Sequence, residues 1–380
     1  MPKNFRSDYI LIAVFALLVF CGILILASVS ASIAQVQYGN PSYYLFHQIL
    51  FGFLPGIFLA FLAFKIPLSF FKKWSLVFLL VVLLFCFLVF LPKIGISRGG
   101  ASRWINLGKI TFQPSEFLKL AFIIYLSAWL STRGEIFQRK KTKLNSKFKI
   151  TLPQTQILIP FLIIIGLITL VLILQRDMST MIVIALVGVL IYFLAKTPLW
   201  HTILLFLIGG GLVAVLIKIV PYRLHRLLVF LNPEIDPLGM GYQIKQALIT
   251  VGSGGIKGVG LSFGVQKYGF LPQPMSDSIF AVFAEETGFI GALLLVVLFL
   301  IFFWRGFEIS KRSPDKFSQL MAAGITFWII IQAFVNIGSM VGILPLTGIP
   351  LPFISYGGSA LIAELIGVGI LLNISKSTTQ

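Results

Sequence analysis

Ten stretches of this 380-residue chain are apolar enough, and nearly all long enough, to cross a bilayer as helices: 9–31, 43–64, 74–91, 116–131, 157–174, 178–195, 199–220, 277–304, 317–343 and 353–373. Spanning ~30 Å of hydrocarbon takes roughly 20 apolar residues, so runs recurring end to end leave little chain for a water-soluble core. The weakest run is 116–131, which is short and carries Lys119. Hydrophobic residues make up 58% of the chain and charged ones 11%, against about 25% charged in ordinary soluble domains. No region alternates with the period of two that a membrane barrel needs, and helices alone satisfy their own backbone groups in lipid. The expected fold is an all-α polytopic membrane protein, one domain over 1–380, with about ten transmembrane helices. The first run follows Lys3 and Arg6. Its apolar stretch exceeds the 7–15 residues of a signal-peptide core, so it reads as an uncleaved anchor.

A net charge of +18 suggests nucleic acid at first sight, but its distribution points elsewhere. With the N-terminus cytoplasmic and an even number of spans, 18 Lys/Arg fall on the inner side, including the run from Arg139 to Lys149, and 11 on the outer side. That asymmetry follows the positive-inside rule. Cys21 and Cys86 both lie in apolar runs, which argues against a disulfide. No Cys/His metal-ligand spacing is present.

Two outward loops, 92–115 and 221–276, carry the exceptional chemistry. They hold most of the outer cations, kept against the topological preference, which suggests an anionic ligand such as a pyrophosphate or an anionic lipid. Glycines 252, 254, 255, 258, 260 and 264 match neither phosphate-binding fingerprint, and suit a re-entrant or surface-lying segment packed closely on the bundle. Of twelve acids, Glu116, Asp177, Asp277, Glu285, Glu286 and Glu364 lie in or beside spans. A charge at mid-bilayer costs roughly 2.5–3.5 kcal/mol on insertion scales, so each is a functional candidate. Glu116 and Lys119, three apart, can pair on one helix face. Asp277 begins a span directly after the cationic loop, at the depth of a lipid headgroup. Glu285 lies eight residues on, about 12 Å deeper.

Four stretches together resemble the SEDS (shape, elongation, division and sporulation) family of membrane glycosyltransferases, which polymerise peptidoglycan from a lipid-linked precursor. They are GGASRWINLGKITFQPSEFLKL (99–120), GYQIKQALITVGSGGIKGVGL (241–261), SDSIFAVFAEETGFIG (276–291) and the SYGGS at 355–359, set within the loop and helix of 344–375. The resemblance implies ten helices with both termini cytoplasmic. It makes Asp277 the essential catalytic residue, as a general base or as ligand to a divalent cation (magnesium or manganese), and no other cofactor is expected. It also suggests substrate-binding roles for Arg103, Glu116, Lys119, Lys245, Lys267 and Ser355. The family's QPDLGT-like turn is QRDMST here (175–180), a departure that alters the expected substrate handling and makes Arg176 a candidate for a further anion contact. His47 stands where Arg or Lys is usual, and Ser278 replaces an aromatic. The ungapped GLSFGVQKYGFLP (260–272) and ASRW (101–104) are closer to division-type, FtsW-like members than to elongation-type ones.

The implied partners are lipid II, the undecaprenyl-linked glycan, membrane lipid, a class B penicillin-binding protein and divisome proteins, with no nucleic acid. The implied location is the bacterial cytoplasmic membrane at the division septum. Two other readings compete: a lipid II flippase, and a scaffold that recruits a transpeptidase.

Overall fold

The computed structural model describes residues 8–98, 100–106, 108, 110–143, 155–219 and 221–378. The side chains of the 139–149 cationic run lie outside the described residues. In chain order the helices begin with α1 (Tyr9–Tyr38), α2 (Tyr43–Gln48), α3 (Leu54–Lys65) and α4 (Leu68–Leu88). A π turn at Ile49–Phe53 joins α2 to α3, making one span over Tyr43–Lys65. The wide turn sits just ahead of Pro55, which lacks an N–H and would crowd an α-helical carbonyl four residues back. After the sheet described below come α5 (Pro114–Lys143), α6 (Thr155–Leu174), α7 (Met178–Leu194), α8 (Leu199–Ile219), α9 (Pro221–Leu231) and α10 (Met240–Ser253). The chain ends in α11 (Ile279–Arg312), α12 (Lys316–Met340) and α13 (Gly358–Thr378).

Eight helices among the described residues are long and apolar enough to cross a membrane. Two sequence runs fall short of that measure. Met178–Leu194 has only 17 residues, and α5 dilutes its apolar segment with Lys119 and Arg133. The final run starts later than its hydropathy suggests: residues 344–357 are an irregular loop, and α13 begins at Gly358. Cys21 and Cys86 are free thiols.

The centre of the bundle is α12 and α13, each 67% buried over its apolar window, whereas α8 is 6% buried and lies at the rim. Trp328 and Ile329 of α12 are fully enclosed among α5, α7 and α11. α13 runs close along α3. A Cβ on Gly369 would lie 2.3 Å from the Ala60 carbonyl, and one on Gly56 would lie 2.4 Å from Leu365. Where lipid is as apolar as the partner helix, such small-residue seams let dispersion contacts drive association.

One end of the bundle gathers the start of α1 and the end of α13. Arg305 pairs with Asp8 there, and the Asp8 N–H donates to Ser375 Oγ at 3.2 Å. The other end carries the long loops, which are more ordered than an all-α reading expects. β1 (Gly95–Arg98), β2 (Ala101–Asn106) and β3 (Thr111–Phe112) form an antiparallel sheet in the order β1-β2-β3. These strands are too short for their alternation to stand out beside the flanking apolar runs, and only Ile105 turns fully inward.

A second difference concerns α11, expected as one continuous span. Gly288 breaks it, with φ 68° and ψ −170°, in a region that only glycine occupies readily. The chain at 254–260 crosses through the break: Val259 and Gly260 donate to the carbonyls of Glu285 and Glu286 at 3.0 Å each, and Phe289 donates to Gly255 at 2.9 Å. A Cβ on Gly288 would sit 2.2 Å from the Gly258 nitrogen. The glycine-rich stretch therefore serves close backbone packing.

Candidate active site

Asp277 lies in the turn just before α11, at the loop-bearing end. Its main chain is held from several directions. Asn336 of α12 donates to the Asp277 carbonyl at 2.8 Å and to the Ile349 carbonyl at 2.7 Å. Ser355 Oγ donates to the Ser276 carbonyl at 2.6 Å while accepting from the Leu351 N–H at 2.8 Å. The Tyr356 N–H donates to the Met275 carbonyl at 2.9 Å. The signature loop 344–357 is thus bolted to residues 275–277.

The carboxylate faces Gly348, where a Cβ would come within 3.3 Å of Oδ2. Its charged surroundings are cationic. Burial pushes the Asp277 carboxyl above its ordinary value of 3.8, while Arg226 and Arg103 pull it back. Arg226 projects from α9 and donates to the Leu346 carbonyl at 3.3 Å. Arg103 projects from β2 and donates to the Arg176 carbonyl, with Asp177 Oδ1 3.8 Å from its guanidinium. Asp177 is itself fixed as the N-cap of α7. It accepts from the Thr180 N–H at 3.4 Å, from Thr180 Oγ1 at 3.0 Å and from Ser115 Oγ at 2.9 Å. Arg103 therefore sits beside the buried Asp177 and also acts through its charge on the half-buried Asp277.

Arg176 adopts φ 58°, an angle closed to proline, so the QRDMST turn has a shape that the family's proline could not take. Its guanidinium lies against Gly100, 2.8 Å from where a Cβ would be, and it acts on Arg223 of α9 through charge. Ser179 donates to the Thr347 carbonyl, closing the wall between α7 and the signature loop.

Of the residues expected from sequence, Arg103 acts on Asp277 and Ser355 holds its turn, while Arg176 reaches the site only through its carbonyl, which accepts from Arg103. Four others are placed elsewhere. Glu116 and Lys119, each 3% exposed, pair at 2.7 Å inside the bundle. Lys119 also donates to Gln332 at 2.7 Å, and Gln332 donates to Glu364 at 3.2 Å and to the Pro350 carbonyl at 3.1 Å. Glu364 in turn accepts from the Phe353 N–H at 2.8 Å, holding Phe353 at φ 65°, which a bulky residue does not adopt unaided. This network fixes the signature loop from below and does not face the surface. Lys267, 1% exposed, pairs at 2.7 Å with Glu286 and is closed off from any phosphate in this structure. Lys245 pairs with Glu234 at 2.5 Å on an exposed flank. Glu285 accepts from the Val265 N–H at 2.9 Å and serves the crossing loop.

Arg226 and Arg223 escaped the sequence reading as individuals. The available signal was their spacing of three within PYRLHRLLVFL, which sets both on one face of an amphipathic helix. Among the described residues no group of three or more His, Cys, Asp or Glu could hold a metal ion. Asp277 stands as a single carboxylate beside guanidinium groups, too few ligands to hold a divalent cation without the substrate's phosphates.

A profile of a cell cycle protein family, named for FtsW, RodA and SpoVE, matches residues 8–380. Stage V sporulation protein E of Bacillus subtilis (strain 168) is 36% identical over 98% of each chain. The probable peptidoglycan glycosyltransferase FtsW of Coxiella burnetii is 37% identical, over 94% of this chain and 93% of that one. Among solved structures, a chain of a peptidoglycan synthase complex that coordinates polymerization and crosslinking superimposes with a TM-score of 0.75, at 26% identity over 99% of both chains. The rod shape determining protein RodA of Thermus thermophilus gives 0.69 at 25% identity over 100% of both chains. The profile spans the bundle, the signature loop and the Asp277 turn, and the chain belongs to the FtsW, RodA and SpoVE family of cell cycle proteins.

Proposed function

We propose that this multi-pass membrane protein is a peptidoglycan glycosyltransferase that polymerises lipid II and releases undecaprenyl pyrophosphate. The observation that carries the reading is a half-buried carboxylate at the loop end of the bundle, immobilised through its backbone and facing Arg103 and Arg226. The 4-hydroxyl oxygen of the incoming glucosamine attacks C1 of the lipid-linked muramic acid. The C1–O bond to pyrophosphate breaks, and the α-linked donor becomes a β-1,4 link with inversion. Asp277 takes the hydroxyl proton. A carboxyl raised by burial is a stronger base than a solvated one, closer to what proton transfer near neutral pH requires. Arg103 and Arg226 offset the charge that develops on the leaving pyrophosphate, at positions fixed before the reaction begins, and Arg176 adds a further cation to the same loop face. No step is assigned to a metal ion.

A flippase would use polar groups freed by a helix break near mid-membrane. Here the acids beside the Gly288 break, Glu285 and Glu286, each have one carboxylate oxygen engaged, by the crossing loop and by Lys267 respectively. Synthesis of labelled glycan by the purified protein from lipid II, read on a gel, is the direct test. Asp277→Asn should lower it by roughly 10²–10⁴-fold, the span of acid–base catalysis, without loss of folding. Asp315→Asn at the opposite end exchanges one good N-cap for another and should be nearly silent. Normal polymerisation by folded Asp277→Asn protein would remove Asp277 from the mechanism and reopen transport.

The division role, with septal location, a class B penicillin-binding protein partner and divisome contacts, rests on the ungapped 260–272 loop. Depletion in the native host should give filaments. Rounded cells that still divide would assign an elongation role instead.

A further inference from the structure

The hairpin between α1 and α2 carries an aromatic cluster that the chemistry at Asp277 leaves unexplained. Tyr38 and Tyr43 stack with centroids 3.9 Å apart and planes 16° from parallel. Tyr44 meets both edge-on at 5.7 and 5.5 Å, and meets Tyr356 edge-on at 5.4 Å. His47 lies beside Tyr43 at 6.2 Å, and its Nδ1 shares a 2.9 Å hydrogen bond with the Tyr356 hydroxyl. Tyr38 is 52% exposed and Tyr43 38%.

A belt of tyrosines at the lipid interface is the ordinary explanation for such rings. Two observations argue for more. The hairpin also holds Gln35, Gln37, Asn40 and Ser42, a polar density suited to water, and Tyr44 donates to Gln37 at 2.5 Å. The cluster is also continuous with the active site. Tyr356 donates through its N–H to Met275, two residues before Asp277, and Gln48 holds the same loop by accepting from the Gly357 N–H at 3.1 Å.

We propose that Tyr38, Tyr43, Tyr44, His47 and Tyr356 form a sugar-binding platform that holds the growing glycan strand beside Asp277. Pyranose C–H bonds, polarised by their oxygens, are attracted to the negative face of an aromatic ring. The phenol, imidazole and amide groups around the rings supply partners for sugar hydroxyls. A processive polymerase needs such a hold, because each new bond leaves the product as a substrate of the next cycle. The inference rests on the glycosyltransferase reading.

The test separates strand length from the first coupling. Tyr43→Ala and Tyr38→Ala, each checked for folding by size-exclusion chromatography, should impair strand extension more than the joining of the first two lipid II molecules. Their mean strand should be roughly 2- to 10-fold shorter, the contribution of one aromatic face. Tyr43→Trp should keep long strands and Tyr43→Leu should not. Wild-type length in Tyr43→Leu would mean that the ring only seats the helix end in the interface, and would overturn the proposal. Saturation-transfer NMR with a soluble glucosamine–muramic acid tetrasaccharide should show contact with the wild type, weakened in Tyr43→Ala. Equal or absent transfer in both would also overturn it. Binding of the tetrasaccharide by a wild-type protein that makes no polymer would sink the enzymatic reading and leave the platform standing.

Discussion

Lys267 separates two accounts of the outer loop, and the structure supplies the magnitude. Its ammonium lies 2.7 Å from Glu286 Oε1 and donates to Ser28 Oγ at 2.8 Å, while Ser28 donates to the same carboxylate oxygen at 2.6 Å. The two charged side chains are 1% and 0% exposed, so neither charge has water to fall back on. Breaking such a pair by removing one partner costs about 3–5 kcal/mol, because the other charge is left buried and uncompensated. Lys267→Met and Glu286→Gln should each lose that amount in SDS-driven unfolding from mixed micelles. The double variant removes both charges while the amide introduced by Glu286→Gln retains a partner in Ser28, and most of the lost stability should return. Strong non-additivity is therefore the expected result, as for groups in direct contact. If Lys267 were instead a pyrophosphate ligand, Lys267→Met would fold like the wild type and fail only in polymerisation. A stable, inactive Lys267→Met protein, or additive losses in the double variant, would refute the pairing argument.

The pH dependence of polymerisation should carry the signature of Asp277. Activity that needs its ionised form rises with pH through a value above the ordinary 3.8, because burial raises that carboxyl. Arg226 opposes the rise, so Arg226→Gln should move the acid limb further toward alkaline pH. An unmoved limb would mean that Arg226 does not act on the base. Cysteine labelling at Ser146, which lies outside the described residues, and at exposed Ser262 should report opposite sides of the membrane. The expectation follows from the charge split between the two faces, and labelling of both positions from one side would overturn that topology.

What the sequence determined by itself is the solvent. Membrane spans follow from the transfer free energy of consecutive residues, a local property, which is why runs such as 43–64 and 157–174 match Tyr43–Lys65 and Thr155–Leu174 so closely. The position of Asp277, at a span boundary after a cationic loop, was legible for the same reason. Tertiary structure decided which charges face each other. Lys267 and Arg103 look alike in sequence as loop cations, yet one is buried against Glu286 and the other is aimed at the Asp277 site. That choice depends on partners as far off as Ser28, 239 residues from Lys267. The Glu116–Lys119 pair was legible from its spacing on one helix, but its extension through Gln332 to Glu364 joins three helices and depends on side chains 213 residues apart. The break in α11 is equally invisible locally. Gly288 is one glycine among many until the 254–260 segment passes through it, and a buried backbone must find hydrogen-bond partners wherever the fold supplies them.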